Sequence, residues 1–498
     1  MIQQNDTATV LNEAESPILL AQGSSVGSWQ LLSYNCPFNP IHAALLRTGR
    51  VLFVSGSGND PNKVDQPDGN AVWNVNNGTF FSPEYPYDDA AGLPLDLFCG
   101  GHSFLPDGRL MFASGTLQYD PFYGLPVYLI FDPITEQWSN PPGTMAAGRW
   151  YPTLVTLGDG RVLAVSGLET SGLLEDYPSI WSPQNDWVYY SQPTSPLPMY
   201  AHLFLLSSGK IFFAGGCFAN TGVSPRILTL PTDFSQQIPE TPLVSGLQDA
   251  EYVEQAASVL LPPAQDQKVM IIGGGNGFQG ETTKRVNIVD LTANNPIYTA
   301  GPSLKYARMH HNAVLLPDRT VFVCNGGAKG EDGNRATPIA EIYDPSTNSW
   351  TDAATANVTG RLYHALALLL PDGRVATAGG NPDRGVEELR MEIYSPWYMS
   401  QSRPVINNAP ETITYGQQFQ IGVSTGNILW VSLIRPMATT HGLDTEQRVV
   451  NLPINSVNGN TLTVTVTSNP NLAPPGWYML FINNQSKVPS VAKWIQLG

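Results

Sequence analysis

The chain has 498 residues, with 25 Lys and Arg against 41 Asp and Glu for a net charge of −16, and only 13% of residues are charged, which excludes nucleic acid as the main partner because phosphate recognition needs clustered cations. The 46 Gly and 42 Pro rule out a long-helix protein, and with 42% hydrophobic residues they point to a large, turn-rich β fold. Four Cys in so long a chain exclude a disulfide scaffold, and no apolar run approaches the roughly 18 residues of a membrane span.

Residues 1–26 read as an N-terminal extension. They hold a short apolar patch but neither the basic start nor the apolar run of a secretory signal. Sequons at Asn5, Asn77, Asn357 and Asn484 are too permissive a pattern to fix the compartment. GSWQLLS at 27–33 reads as a Trp-bearing strand with no strand before it to pair with.

From residue 42 one pattern recurs seven times: an apolar stretch, a tight turn, a second apolar stretch, then small residues. The copies start at HAALLRTGRVLFVSGSG (42–58) and HSFLPDGRLMFASG (102–115), continue at 151–167, 200–216, 257–275 and 310–327, and end with YHALALLLPDGRVATAGG (363–380). Their spacing is close to the kelch-type period of about 50 residues. Each copy is a β-hairpin by its own chemistry, because apolar runs too short for helices flank a turn that tolerates positive φ. VYLIFDPITEQW (127–138) and AEIYDPSTNSW (340–350) supply third and fourth strands, completing the four of a propeller blade. The last copy ends at MEIYSPWYM (391–399) without its Trp strand, so 27–33 is expected to complete it and close the ring. Beyond 400 come short alternating strands such as TLTVTVT (461–467), which predict a β-sandwich. The expected fold is all-β: a seven-bladed kelch-type β-propeller over 27–399, then a sandwich over 400–498.

Five of the seven His, namely His42, His102, His202, His311 and His364, fall near the start of a blade's first strand. A repeat puts like residues in like places, so His42, His102, His202 and His311 read as lining of the central channel. His310 has no equivalent in this reading and stays unassigned. Gly275, Gly277 and Gly280 match a dinucleotide-binding spacing but lie between two strands, where that fingerprint has no meaning, so they read as a blade loop. Cys36, Cys217 and Cys324 read as buried thiols. What remains is Cys99 in DLFCGGHSF, Arg149–Pro152 in GRWYPT, Tyr363 and His364 in GRLYHALALLLPDGR, and His441 in PMATTHGLDTEQR. Neighbours on a regular strand face opposite ways, so Tyr363 and His364 share a centre only where the strand has not yet become regular. Two imidazoles and two phenols suit a tetragonal Cu(II) site and are poor ligands for a structural zinc. Spacing alone does not single the set out.

The stretches FCGGHSFLPDGR, RWYPT, YHALALLLPDGR, SLIRPMATTHGLDTEQR and GWYMLFINNQSKVPSVA resemble the copper radical oxidases, the galactose oxidase and glyoxal oxidase family, across the propeller and through the C-terminal domain. The resemblance implies that the sandwich is immunoglobulin-like. It also implies one copper ion held by Tyr151, Tyr363, His364 and His441, with Tyr151 joined to Cys99 by a thioether that carries a radical and Tyr363 as axial ligand and base. The implied reaction oxidises a primary alcohol or aldehyde with O2 to an aldehyde or carboxylic acid plus H2O2. The implied partners are a small alcohol, aldehyde or carbohydrate and O2, with a monomeric, secreted or cell-surface protein. Two departures bear on the substrate. AVSGLETSG (164–172) offers Leu168 and Glu169 where galactose oxidase stacks a Trp over the crosslink, and residues 1–26 leave no room for the carbohydrate-binding domain that precedes its propeller. Both favour a glyoxal-oxidase-like or general alcohol oxidase. Trp150 resembles the RWY of glyoxal oxidases and either lines the site or packs within a blade. The competing reading is a non-catalytic kelch-type propeller that binds glycan or protein.

Overall fold

The computed structural model describes residues 25–65, 67, 69–88, 92–219, 223–242 and 245–498. Apart from residues 25 and 26, the N-terminal extension lies outside the described residues, as does the sequon at Asn5. The Asp-Gly turns predicted from sequence form as hairpin corners. In three of them an Asp carboxylate accepts the backbone N–H two residues on, from Arg109 to Asp107, Arg161 to Asp159 and Arg374 to Asp372. The flanking strands are short and mostly apolar; in HAAL at His42–Leu45 and LALL at Leu366–Leu369 every residue is buried. Strands covered on both faces have no polar side to show, which is why the sequence does not alternate there.

These hairpins build seven four-stranded antiparallel blades. Blade 1 comprises His42–Leu45, Val51–Val54, Asn70–Trp73 and Phe80–Phe81. The inner strands of blades 2 to 6 are Gly101–Phe104, Thr153–Thr156, Leu203–Leu205, Ala257–Leu260 and Met309–Leu315. Blade 7 takes Leu366–Leu369, Val375–Ala378 and Arg390–Ser395 from the end of the repeat and Ser28–Asn35 from its beginning. Trp29 registers against Tyr394, and its indole N–H donates to Ala354 O at 2.7 Å in blade 6. The ring is thus closed by one strand whose own neighbours in sequence lie in blade 1.

The C-terminal sandwich packs a four-stranded sheet carrying Gln418–Val423 and Thr461–Thr465 on a five-stranded sheet carrying Ile428–Ile434, Gly476–Asn484 and Lys493–Leu497. Phe419, Ile421 and Val464 meet Val431, Leu480 and Ile495 in its core. One excursion from the sandwich matters most for function. Ala438–Thr440 leaves the sandwich and pairs antiparallel with the inner strand of blade 1, with Thr440 opposite His42 and Ala438 opposite Ala44. Leu443–Asp444 folds back on it, so blade 1 becomes a six-stranded sheet.

Inner strands of a propeller present unpaired backbone groups to the channel, and such groups are costly if left unsatisfied. The excursion satisfies several of them. Gln447 accepts from Leu315 N at 2.8 Å and donates to Leu315 O at 3.0 Å in blade 6, and Thr445 Oγ1 donates to Leu154 O at 2.7 Å in blade 3. Glu446 accepts from Ser103 Oγ at 2.6 Å, Thr156 Oγ1 at 2.9 Å and Phe104 N at 3.2 Å, and it pairs with the buried Arg435 of the sandwich. The channel is filled by sandwich sequence.

Candidate active site

Each inner strand closes on a Leu just before its turn: Leu46, Leu105, Leu157, Leu206, Leu261, Leu316 and Leu370. Six residues ahead of those Leu stand Pro40, Cys99, Tyr151, Tyr200, Gln255, His310 and His364. All but Pro40 have left-handed backbone, with φ of 61° at Cys99, 64° at Tyr151, 46° at Tyr200, 53° at Gln255, 58° at His310 and 66° at His364. A non-Gly residue pays for that conformation, and six in one register mean that the ring of blades imposes it. The left-handed residue breaks strand alternation and turns its side chain onto the channel mouth.

Buried arginines hold these approaches in place. Arg149, Arg308 and Arg361 each donate an Nη1 hydrogen to a carbonyl at the end of the same blade's second strand, Ser166 O at 2.9 Å, Asn325 O at 3.1 Å and Gly379 O at 2.9 Å. Arg149 stands two residues before Tyr151 and Arg308 two before His310, but Arg361 stands three before His364. The extra residue in blade 7 lets both Tyr363 and His364 reach the mouth, their rings stacked at 3.7 Å.

Five side chains named from the sequence meet there. The hydroxyls of Tyr151 and Tyr363 are 2.6 Å apart, and the rings of His364 and His441 are 4.7 Å apart and nearly perpendicular. His441, from the sandwich excursion, lies 5.0 Å from the Tyr151 ring and 5.2 Å from that of Tyr363. The fully buried Cys99 thiol sits against the Tyr151 phenol, close enough that each perturbs the other's ionisation. Burial raises the pKa of Cys99, Tyr151 and Tyr363 well above their ordinary values, and mutual charge repulsion raises the two phenols further. Burial lowers His364 to about 3 and His441 well below its ordinary value. Both imidazoles are therefore neutral, as metal ligation requires.

Their tautomers are fixed by their neighbours. Asn381 Nδ2 donates to Val386 O at 2.9 Å, so its Oδ1 accepts from His364 Nδ1 at 2.7 Å. Thr440 Oγ1 donates to Ile41 O at 2.9 Å, so it accepts from His441 Nδ1 at 2.7 Å. Each ring then carries its proton on Nδ1, and each Nε2 is a buried lone pair with no hydrogen-bond partner. A hydrogen bond that orients a ring and leaves the other nitrogen bare is the usual support of a metal-bound His. Among the described residues no three His, Cys, Asp or Glu converge on one point, so this mixed set of imidazoles and phenols is what the fold offers a metal ion. It fits copper and lacks the thiolates of structural zinc.

Several residues around the site went unread in the sequence. Phe218 stacks on Tyr151 at 4.3 Å and 17°, covering the ring where the 164–172 stretch has Leu168 and no Trp. Phe278 stands edge-on to Tyr363 at 4.8 Å, carried by the GGGNGFQG loop that sequence reasoning set aside. Tyr200 packs on Tyr151 at 4.5 Å and donates its hydroxyl to Gly100 O at 2.7 Å, bracing the turn that holds Cys99. Trp150, which the sequence offered as site lining or blade packing, meets Tyr151 edge-on at 4.0 Å, stacks on Phe122 at 4.2 Å and donates to Thr116 Oγ1 at 3.1 Å. Counting back from the closing Leu would have found Tyr200, and it shows that His310 does have equivalents, including Tyr151 and His364. His42, His102 and His311 lie at other positions of that register, deeper along the inner strands.

Residues 87–398 match the family model described as glyoxal oxidase N-terminus, and 403–497 match the galactose oxidase-like early set domain. The chain belongs to the copper radical oxidases, the galactose oxidase and glyoxal oxidase family. Within it, the chain is 26% identical to an aldehyde oxidase GLOX of Vitis pseudoreticulata, over 96% of this chain and 98% of that one. It is 27% identical to a galactose oxidase of Gibberella zeae over 81% of this chain, and there it spans only 61% of the relative's length. A solved fungal alcohol oxidase of the AA5 family, described as in complex with copper, shares the fold of this copper radical oxidase, with a TM-score of 0.80 at 23% identity over 95% of this chain and 99% of that one.

Proposed function

We propose that this family member is a secreted or cell-surface oxidase that uses copper to convert a small aldehyde or primary alcohol, with O2, into the carboxylic acid or aldehyde plus H2O2. The observation that carries the reading is the pair of neutral imidazoles with unpartnered Nε2 atoms, packed beside two phenols whose hydroxyls are 2.6 Å apart. Tyr151, Tyr363, His364 and His441 would hold the metal, and Cys99 would be joined to Tyr151 through Sγ and a ring carbon. Copper and the Tyr151–Cys99 thioether together supply the two one-electron acceptors that a two-electron oxidation needs.

The chain's own residues do the rest. Tyr363 receives the hydroxyl proton of the substrate on its phenol oxygen, and burial, which raises its pKa, makes the deprotonated form a strong base in a dry site. Phe218 and Phe278 shield the two phenol rings, keeping water from the carbon that loses hydrogen. Asn381 and Thr440 hold the imidazoles in one tautomer through the cycle. Two electrons and two protons leave the substrate and appear in H2O2. The aromatic wall favours a small or flat substrate, and the net charge of −16 does not attract anions. Among the described residues no helix is long and apolar enough to cross a membrane.

The test is peroxide production by copper-loaded protein over a panel of alcohols, aldehydes and glycans. Turnover that falls by roughly 10²- to 10⁴-fold in Tyr363→Phe, the range a positioned general base supplies, supports the reading. Glycan binding without peroxide from any substrate would make the propeller a binding module instead.

A further inference from the structure

Outside the candidate metal-holding set, two members of the left-handed ring have buried polar atoms without a side-chain partner, Gln255 at Oε1 and His310, and His310 packs its ring against a reacting phenol. His310 is 4% exposed, its ring stands 5.5 Å from that of Tyr363 and 5.4 Å from that of Phe278, and no side chain bonds either ring nitrogen. His42, His102 and His311 also have unpartnered nitrogens, but they sit deeper on the inner strands. His310 occupies the level of Tyr151 and His364. Burial pushes it down to about 3, so the ring is neutral and offers one N–H and one lone pair. Phe278, half-buried in a blade 5 loop, and Tyr363 pack on it through their rings, and the Phe278 backbone is placed to bond one ring nitrogen, leaving the other free. A buried ring nitrogen left unpaired is costly, and a bound oxygen would relieve that cost.

We infer that His310 is a substrate-orienting residue that hydrogen-bonds the second hydroxyl of a hydrated aldehyde whose first hydroxyl meets Tyr363. The inference rests on the oxidase reading above and narrows its substrate class. A geminal diol carries two hydroxyls on the carbon that loses hydrogen. One gives its proton to Tyr363, the C–H bond breaks, and the second hydroxyl keeps its bond to His310 and becomes the acid's O–H. The overall change is RCH(OH)2 + O2 to RCOOH + H2O2, with two electrons and two protons passing to oxygen. A primary alcohol has only the first hydroxyl and makes no use of His310. Phe278, packed against both the imidazole and the Tyr363 ring, limits which tilt the diol can take.

The experiment compares methylglyoxal, hydrated at its aldehyde, with hydroxyacetone, the primary alcohol of the same skeleton, in wild type, His310→Phe and His310→Gln. The expected result is that the ratio of kcat/KM for methylglyoxal to that for hydroxyacetone falls about tenfold in His310→Phe, the worth of one lost hydrogen bond in a buried site, and recovers in His310→Gln, which keeps a donor and an acceptor. A ratio unchanged in His310→Phe overturns the inference, as does wild type that oxidises hydroxyacetone and not methylglyoxal, and in both cases the oxidase reading stands. Intact mass of each variant after copper loading reports whether the Tyr151–Cys99 bond still forms. Its absence in wild type, with no peroxide from either substrate, sinks the oxidase reading and this inference with it.

Discussion

Asn381 decides what His364 can do, because the direction of a single bond chooses the ring's tautomer. Asn381→Leu keeps the volume and removes that acceptor. Copper affinity, measured by competition with a chelator, is expected to drop about 10- to 100-fold, as for other second partners of ligating His. Unchanged affinity would mean that the ring is oriented by packing alone. Asp96 gives a separate test at this scale. Its Oδ1 accepts from Ser57 N at 2.7 Å and Phe98 N at 3.0 Å, bracing the Cys99 turn, while burial raises its carboxyl from 3.8 to about 7. Between those values the folded state holds a proton that the unfolded state has lost, so this group makes stability fall as pH rises through the window. Thermal midpoints of wild type and Asp96→Asn should therefore diverge from pH 4 to pH 7, in favour of the Asn variant, and run parallel above it. The five residues named from sequence were legible through motif resemblance, since Tyr and His are common on strands. His310 and Tyr200 were legible in principle from the Leu register. Phe218 and Phe278 were not, because loop side chains reach the site through folds of the backbone that no period records.

At the scale of elements, the blades were readable because a hairpin is local: its two strands and its turn lie within one stretch of some fifteen residues, as at 102–115. The Ser28–Asn35 closure was readable too, since the repeat lacked one strand at one end and had one spare at the other. The pairing of Ala438–Thr440 with His42–Leu45 was not, because it joins residues about 400 positions apart and its pattern is that of any small polar strand. Sequence placed His441 in a loop; the fold puts it at the tip of a two-stranded excursion, with φ of 50°. Leu45 N donates to Met437 O at 2.9 Å, so by antiparallel alternation Ala43 and Thr439 form the next hydrogen-bonded pair. Thr439→Pro removes that bond and withdraws His441 from the mouth. Copper affinity about tenfold or more below wild type, with the far-UV circular dichroism of a folded β protein, is the expected outcome. Wild-type affinity would show that the pairing does not position His441.

Across the whole molecule, the two domains share one site, and the buried Arg435–Glu446 pair lies where they join. Removing one partner leaves an uncompensated buried charge, so Glu446→Ala is expected to lose about 3–5 kcal/mol in urea denaturation. A loss under about 1 kcal/mol would show that the pair is not holding the propeller to the sandwich. The charge-poor composition follows from this architecture, because stacked blades and a filled channel bury much of the chain. The proposed oxidase activity depends on whether Cys99 and Tyr151 react with each other. Intact mass after copper loading in air measures that directly: wild type should lose the mass of two hydrogens relative to the metal-free protein, and Cys99→Ala should lose none. Wild-type protein that binds copper, is exposed to oxygen and keeps its full mass would contradict the assignment of this site as a radical oxidase centre.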